Sequence, residues 1–215
     1  MECRTARIAW LASVAVILAL TACSTEKIPP PKTEAPESSG FKYEELKFVA
    51  DPTLLGFVYP DSSLGLRFAP PRGWPPLEPE LVAEVQAQFE RFAPKDNRFV
   101  ARPVRIFYEK EKQYFMIISR FPSWPVVMTP EAAIVQYRQL VMAAMPEAEM
   151  LDGFFRSGEV TGYRLLLVNQ VAANFRLIVF REGDSPVQIN YLVPRVDFPV
   201  VQKAIEASVG SIAHI

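Results

Sequence analysis

The stretch VTGYRLLLVNQVAANFRLIVFRE, residues 160–182, decides the fold. It holds two apolar runs, LLLV at 165–168 and FRLIVF at 175–180, which are rich in residues that favour strands. The residues between the runs are too few for a crossover, so the two strands must be joined by a turn and lie antiparallel. The stretch therefore predicts two central strands of an antiparallel sheet, over 160–169 and 174–182.

Working outward, alternating and continuous apolar runs predict more strands, and residues spaced for one helical face predict three helices. The further strands are predicted over 64–69, 98–108, 112–120, 148–156 and 187–193, with a short one at 57–59. The helices are predicted over 79–93, 130–145 and 198–212, each with a proline near its start. This order predicts an α+β domain, an α/β/α sandwich whose largely antiparallel sheet of about 6–7 strands is covered by three helices.

The first 22 residues have the features of an export signal. Arg4 and Arg7 precede the uncharged apolar run 8–20, and small residues follow it. The alternative is a membrane anchor, but a helix over this run spans roughly 20 Å against a hydrocarbon core of roughly 30 Å. The signal interpretation is therefore favoured.

The end of this segment, Leu20-Thr21-Ala22-Cys23, resembles the bacterial lipobox. The resemblance implies cleavage between Ala22 and Cys23, a diacylglyceryl group on the Cys23 thiol and an acylated amine. The bilayer would then be a partner through these acyl chains, since two or more chains anchor stably. Ser24, rather than Asp, follows the cysteine, which implies the outer membrane facing the periplasm if the cell is Gram-negative.

The remaining chain divides into a lipidated cysteine with a Pro/Ser-rich tether, residues 23–40, and one predicted domain, residues 41–215. Loss of two Arg and one Glu with the signal changes the formal charge from −1 to −2. Such a balance, without a basic cluster, argues against a nucleic-acid partner. Cys3 leaves with the signal and Cys23 takes lipid, so no thiol remains for a disulfide or a catalytic role.

Several short motifs resemble the PsbP-like, or Mog-type, α/β/α sandwich, which includes bacterial lipoproteins of the DcrB type. The motifs are Tyr59-Pro60-Asp61, Gly65-Leu66-Arg67-Phe68, Pro71-Arg72-Gly73-Trp74, Ser157-Gly158 with Gly162-Tyr163-Arg164, and Phe198 with Ile205-Glu206-Ala207-Ser208-Val209. The likeness covers residues 57–212. It implies an assembly factor, a subunit or a binding protein, and it assigns no functional residue.

The residues that usually carry catalysis are scarce. The single histidine, His214, is predicted to lie in a frayed tail, so no nucleophile–base pair is expected. Four carboxylate pairs are predicted to be solvated turns rather than metal ligands. These pairs are Glu78/Glu80, Glu109/Glu111, Glu147/Glu149 and Glu182/Asp184. The sequence thus predicts no enzyme, no metal and no cofactor.

Two tryptophans on proline-rich loops, Trp74 and Trp124, are either lids on the core or anchors of a binding groove, if they lie together. The leading hypothesis is a non-enzymatic envelope lipoprotein that binds a protein partner or helps to assemble a complex. The alternative is a carrier that holds a small apolar ligand in a pocket between sheet and helices. An enzyme is the weakest candidate.

Overall fold

The computed structural model describes residues 41–92, 97–125 and 127–215. The export signal, Cys23 and the tether lie outside these residues. The helices are α1 Pro79–Phe92, α2 Pro130–Ala144 and α3 Phe198–Gly210. The strands are β1 Tyr43–Glu45, β2 Tyr59–Asp61, β3 Leu66–Phe68, β4 Arg102–Glu109, β5 Tyr114–Arg120, β6 Glu149–Ser157, β7 Val160–Val168, β8 Ala172–Arg181, β9 Asp184–Pro194 and β10 Ala213–His214.

A seven-stranded sheet with the order β1-β6-β7-β8-β9-β5-β4 forms the framework. Its pairs are antiparallel except for β1 and β6, which run parallel. The stretch 160–182 forms β7 and β8, which pair directly at the middle of the sheet. The predicted α+β class with a largely antiparallel sheet and three helices is therefore confirmed.

A second, three-stranded sheet has the order β10-β3-β2. The segment predicted as a strand over 64–69 belongs to this small sheet rather than to the large one. Its neighbours are Tyr59–Asp61 on one side and Ala213–His214 on the other. The C-terminal tail predicted to fray is thus a short strand, and His214 lies exposed opposite Leu66.

The two faces of the large sheet are covered differently. The first face packs against α3, the small sheet and the loop of Trp74, and together they form one large apolar cluster. The second face packs against α2 over β7 and against α1 over β4 and β5, in two separate clusters. Among the described residues, no helix is long and apolar enough to cross a bilayer.

The start of α2 shows how local sequence sets an element. Thr129 is extended, and its Oγ1 accepts a hydrogen bond from the Ala132 amide at 3.2 Å. Pro130 follows at the first helical position, where its missing N–H costs nothing. Thr129 is therefore the N-cap of α2, and it sets where the helix begins.

Candidate functional site

The two tryptophans do not form a common groove. Trp74 lies in the first-face cluster, 6% exposed, with its ring 5.6 Å from that of Tyr114. Trp124 lies in a second-face cluster, 7% exposed, beside Phe99 and Phe121. The groove hypothesis is corrected, because the sheet separates the two rings and each one closes its own part of the core.

A cleft of about 520 Å³ lies instead at one end of the large sheet, where β5 and β8 end and β4 and β9 begin. Its charged wall contains Arg102, Arg120, Arg181, Glu90 and Asp184. Its apolar wall contains Phe89, Val104, Phe121, Pro122 and Pro186. We call it the arginine cleft.

The three guanidinium groups of the arginine cleft have different partners. Arg102 lies 3.3 Å from Glu90, and Arg181 lies 2.8 Å from Asp184. Arg120 donates a hydrogen bond to the Ser63 carbonyl. Within the described part of the chain, no carboxylate lies within ion-pair distance of Arg120. The cleft therefore has an excess of positive charge.

Asp61 holds the turn that carries Ser63. Its Oδ1 accepts from the Ser63 hydroxyl at 2.5 Å and from the Leu64 amide at 3.2 Å, and its Oδ2 accepts from Arg105 Nε at 2.6 Å. Burial by itself raises the pKa of Asp61, but hydrogen bonds from Ser63 and Arg105 and the guanidinium charge outweigh it and lower the pKa. The carboxylate is therefore ionised at neutral pH and fixes this wall of the cleft.

Gly65 brings Arg181 against the same turn. Its φ is +61°, and a Cβ at this position would lie 2.8 Å from Arg181 Nη2. A side chain would thus meet both backbone strain and the guanidinium. The glycine lets Arg181 lie on the turn, so that its charge faces the cleft from a fixed position.

Buried polar side chains form a strip across the second face, between the clusters of α1 and α2. The strip consists of Ser119, Tyr137, Arg176, Gln188 and Asn190. Arg176 donates to the Tyr137 hydroxyl, which donates to Gln188 Oε1 at 3.2 Å. Arg176 is 3% exposed, and neither its Nε nor Asn190 Oδ1 has a hydrogen-bond partner among the described residues. We call this the polar strip.

The polar strip begins at the apolar wall of the arginine cleft. Side chains alternate along a strand, so Pro186 and Gln188 share one face of the sheet. Ser119 pairs with Gln188 across β5 and β9, and Phe121 follows Ser119 on the same side. Going from the cleft into the sheet, Phe121 is thus followed on this face by Ser119, and Pro186 is followed by Gln188. Both polar side chains are buried.

The sequence patterns did not identify Arg102, Arg120 and Arg181 as candidate site residues. Each stands at a strand end, Arg102 at the start of β4, Arg120 at the end of β5 and Arg181 at the end of β8. Strand ends are where polar residues are expected, so the pattern alone carries no special signal. Of the carboxylate pairs, Glu182/Asp184 contributes Asp184 to the cleft. Across the described ranges, no three His, Cys, Asp or Glu side chains converge to hold a metal.

A second, smaller cleft lies where the segment before β2 crosses the end of α3. Its volume is about 260 Å³, and its lining includes Phe48, Phe155, Val209 and Ile212. Pockets that enclose small ligands are usually at least about 300 Å³. The smaller cleft therefore gives little support to the carrier hypothesis.

No family model matches the chain, and no curated protein matches it. Among solved structures it is similar to the solution structure of cyanobacterial PsbP (CyanoP) from Synechocystis sp. PCC 6803. The two share 14% identity over 74% of this chain and 92% of that chain, with a TM-score of 0.46.

Proposed function

We propose that this chain is a lipid-anchored lipoprotein of the bacterial cell envelope, and that its domain binds a protein partner without catalysing a reaction. The observation that carries the proposal is the arginine cleft, which combines fixed charges with an apolar wall. Rigid strand ends hold its residues, as suits a recognition site. The acyl chains on Cys23 would place this cleft near a membrane.

The tether supports a role at some distance from the bilayer. Residues 24–40 hold four prolines and few apolar residues, which is the composition of a spacer rather than of a folded element. The domain could then meet a partner that stands in or on the membrane. With Ser24 after the cysteine, we place the protein at the outer membrane, facing the periplasm, if the cell is Gram-negative.

The chemistry of the cleft favours binding over catalysis. The Ser63 hydroxyl donates to Asp61, and a carboxylate with a lowered pKa is a weak base. A serine nucleophile needs a base that accepts its proton near neutral pH. Asp61 instead uses its charge to hold Ser63 and Arg105 in place, so its role here is structural.

The anchor is tested by replacing the cysteine. We expect Cys23→Ala to abolish incorporation of radiolabelled palmitate and to release the protein from washed membranes. Cys3→Ala is the matched control, since Cys3 lies in the signal, and it should change neither result. Membrane retention of the Cys23→Ala protein would show that residues 8–20 are a true anchor, contrary to the proposal.

Partner binding is tested by photo-crosslinking in cells. A photoreactive amino acid at Gln86, which lines the cleft, should give a discrete adduct that is lost when Arg120→Gln is added. The control position is Arg67, exposed on the small sheet away from the cleft lining. Equal adducts at both positions, or none at Gln86, would overturn the proposal.

A further inference from the structure

The arginine cleft holds two like charges directly opposite each other. Arg102 and Arg120 are cross-strand partners in the register of β4 and β5. Like charges in this position repel, so the pair is unfavourable unless an anion lies between or beside them. Glu90 contacts Arg102, whereas the partner of Arg120 among the described residues is the neutral Ser63 carbonyl. The unbalanced charge is thus centred on Arg120.

The internal partner of Arg102 is easily exchanged. The side chains of Arg102 and Glu90 are 53% and 56% exposed. Ion pairs with this exposure contribute only about 0–1 kcal/mol. An incoming carboxylate could therefore take the place of Glu90 at little cost. It would then bridge Arg102 and Arg120, whose planar guanidinium groups suit carboxylate oxygens.

The apolar lining of the cleft selects for more than charge. Phe89 and Val104, which are half-buried, and the exposed Pro122 present apolar surface in the same cleft as the arginines. An inorganic phosphate ion would leave this apolar surface exposed to water. A peptide with an apolar side chain next to acidic residues would bury it. A volume of about 520 Å³ accommodates such a side chain and its neighbours.

We infer that the arginine cleft receives an acidic segment of a protein partner, in which carboxylates flank an apolar side chain. Arg120 and Arg102 bind the carboxylates, and Phe89, Val104 and Pro122 bind the apolar group. This inference rests on the proposed function, because it names the chemistry of the partner at the same cleft. The net charge of the protein is small and negative, whereas the arginine cleft carries a local excess of positive charge.

The test uses the full-length protein in mild detergent and the fluorescent peptide Asp-Glu-Phe-Glu-Asp, with binding followed by polarisation. We expect binding that weakens as salt rises. Arg120→Gln should weaken it about 10-fold, as loss of a charged hydrogen bond does. Arg102→Gln should weaken it less, because Glu90 already neutralises part of that charge. Arg67→Gln is the matched control and should leave binding unchanged.

Two further probes decide what the cleft recognises. Replacing the peptide's Phe by Gly should weaken binding several-fold, and inorganic phosphate should compete poorly. If phosphate competes as well as the peptide, the cleft is a phosphate site and the inference is wrong. If Arg67→Gln weakens binding as much as Arg120→Gln, the attraction is a general effect of charge, and the inference is also wrong.

This experiment is separate from the test of partner binding. A specific adduct at Gln86 without binding of the acidic peptide would overturn this inference and leave the proposed function standing. Peptide binding that depends on Arg120, without any adduct at Gln86, would support the chemistry inferred for the cleft and overturn the proposed partner, and with it the origin of the acidic segment. Thermal melting of the Arg120→Gln and Arg102→Gln proteins checks that both remain folded.

Discussion

The two faces of the central strands β5, β9 and β8 differ in what they bury. On the first face, Met116, Ile118, Ile189 and Leu177 are apolar and almost fully buried. The polar group near them, the Tyr191 hydroxyl, lies 2.8 Å from the Ser208 Oγ, which donates to the Ala69 carbonyl at 2.6 Å. The first face therefore gains stability from apolar packing, and this buried hydroxyl is partnered.

The second face of the same strands buries the polar strip. Arg176 and Asn190 stand opposite each other in the register of β8 and β9, and each has an atom without a partner among the described residues. Burying such groups costs free energy that packing elsewhere must offset. The strip leads to the arginine cleft. The buried groups of the second face, which leads to the proposed binding site, therefore stabilise the fold less than those of the first face.

The largest expected effect is on the first face. Ile189→Ala should lower the free energy of unfolding by about 2–5 kcal/mol, because it leaves a cavity in a filled core. Its neighbour on the second face, Gln188, makes one hydrogen bond from Tyr137, so Gln188→Ala should cost only about 1 kcal/mol. Urea unfolding of both proteins measures the difference. Equal losses would show that the two faces do not differ as described.

The next effect concerns Asp61, the buried carboxylate that contacts Arg105. Asp61→Asn should lower the free energy of unfolding at pH 7 by about 2 kcal/mol, since it weakens charged hydrogen bonds. The pKa of Asp61 is lowered in the fold. Its contribution is therefore complete above the ordinary pKa of about 4 and is lost as the pH falls through the folded value.

Melting curves of the wild type and Asp61→Asn between neutral and acidic pH check this sign. The two melting temperatures should converge as the pH falls below the ordinary range of aspartate. Ser63→Ala is a milder comparison, because it removes one donor and leaves the contact with Arg105. A constant gap between wild type and Asp61→Asn at every pH would contradict the assignment.

How far the sequence predicts these features depends on the length of the elements. The long strands and helices were found because apolar runs such as 175–180 cannot be buried in another way. β1 and β10, of three and two residues, have no period of their own, and they form only because an edge strand offers hydrogen bonds. The parallel pairing of β1 with β6 follows from chain routing, which local sequence does not encode.

The candidate site depends on register even more strongly. Arg102 and Arg120 meet because β4 and β5 pair in one particular register, which the turn between them does not reveal. The sequence leaves open whether Trp74 and Trp124 are lids on the core or anchors of one groove, because their proximity depends on the fold; the sheet separates them. Arg176 stands within an apolar run. Its burial, with no acidic partner in the described part of the chain, becomes visible only once Tyr137 of α2 is in place.

The third effect concerns the hydrogen bond from the buried Arg176 guanidinium to the Tyr137 hydroxyl in the polar strip. Tyr137→Phe removes the hydroxyl that accepts from Arg176 and donates to Gln188. It should cost about 1–3 kcal/mol, because a buried cation loses an acceptor. Urea unfolding measures it, with Tyr163→Phe as the control, since that hydroxyl contacts Asp152 instead. A loss of less than about 0.5 kcal/mol for Tyr137→Phe would mean that the strip does not depend on Tyr137.

The smallest effect has the opposite sign. Arg176→Met keeps most of the volume and removes the buried charge, so it should raise the free energy of unfolding by about 1 kcal/mol, as replacing buried ionic groups by apolar ones often does. In that background Tyr137→Phe should cost much less, because the cation that needed the hydroxyl is gone. A double-mutant cycle in urea measures the coupling. If Arg176→Met destabilises the protein by several kcal/mol, the guanidinium must have partners that offset its burial. On the central strands β5, β9 and β8, the second face would then resemble the first in having its buried polar groups satisfied.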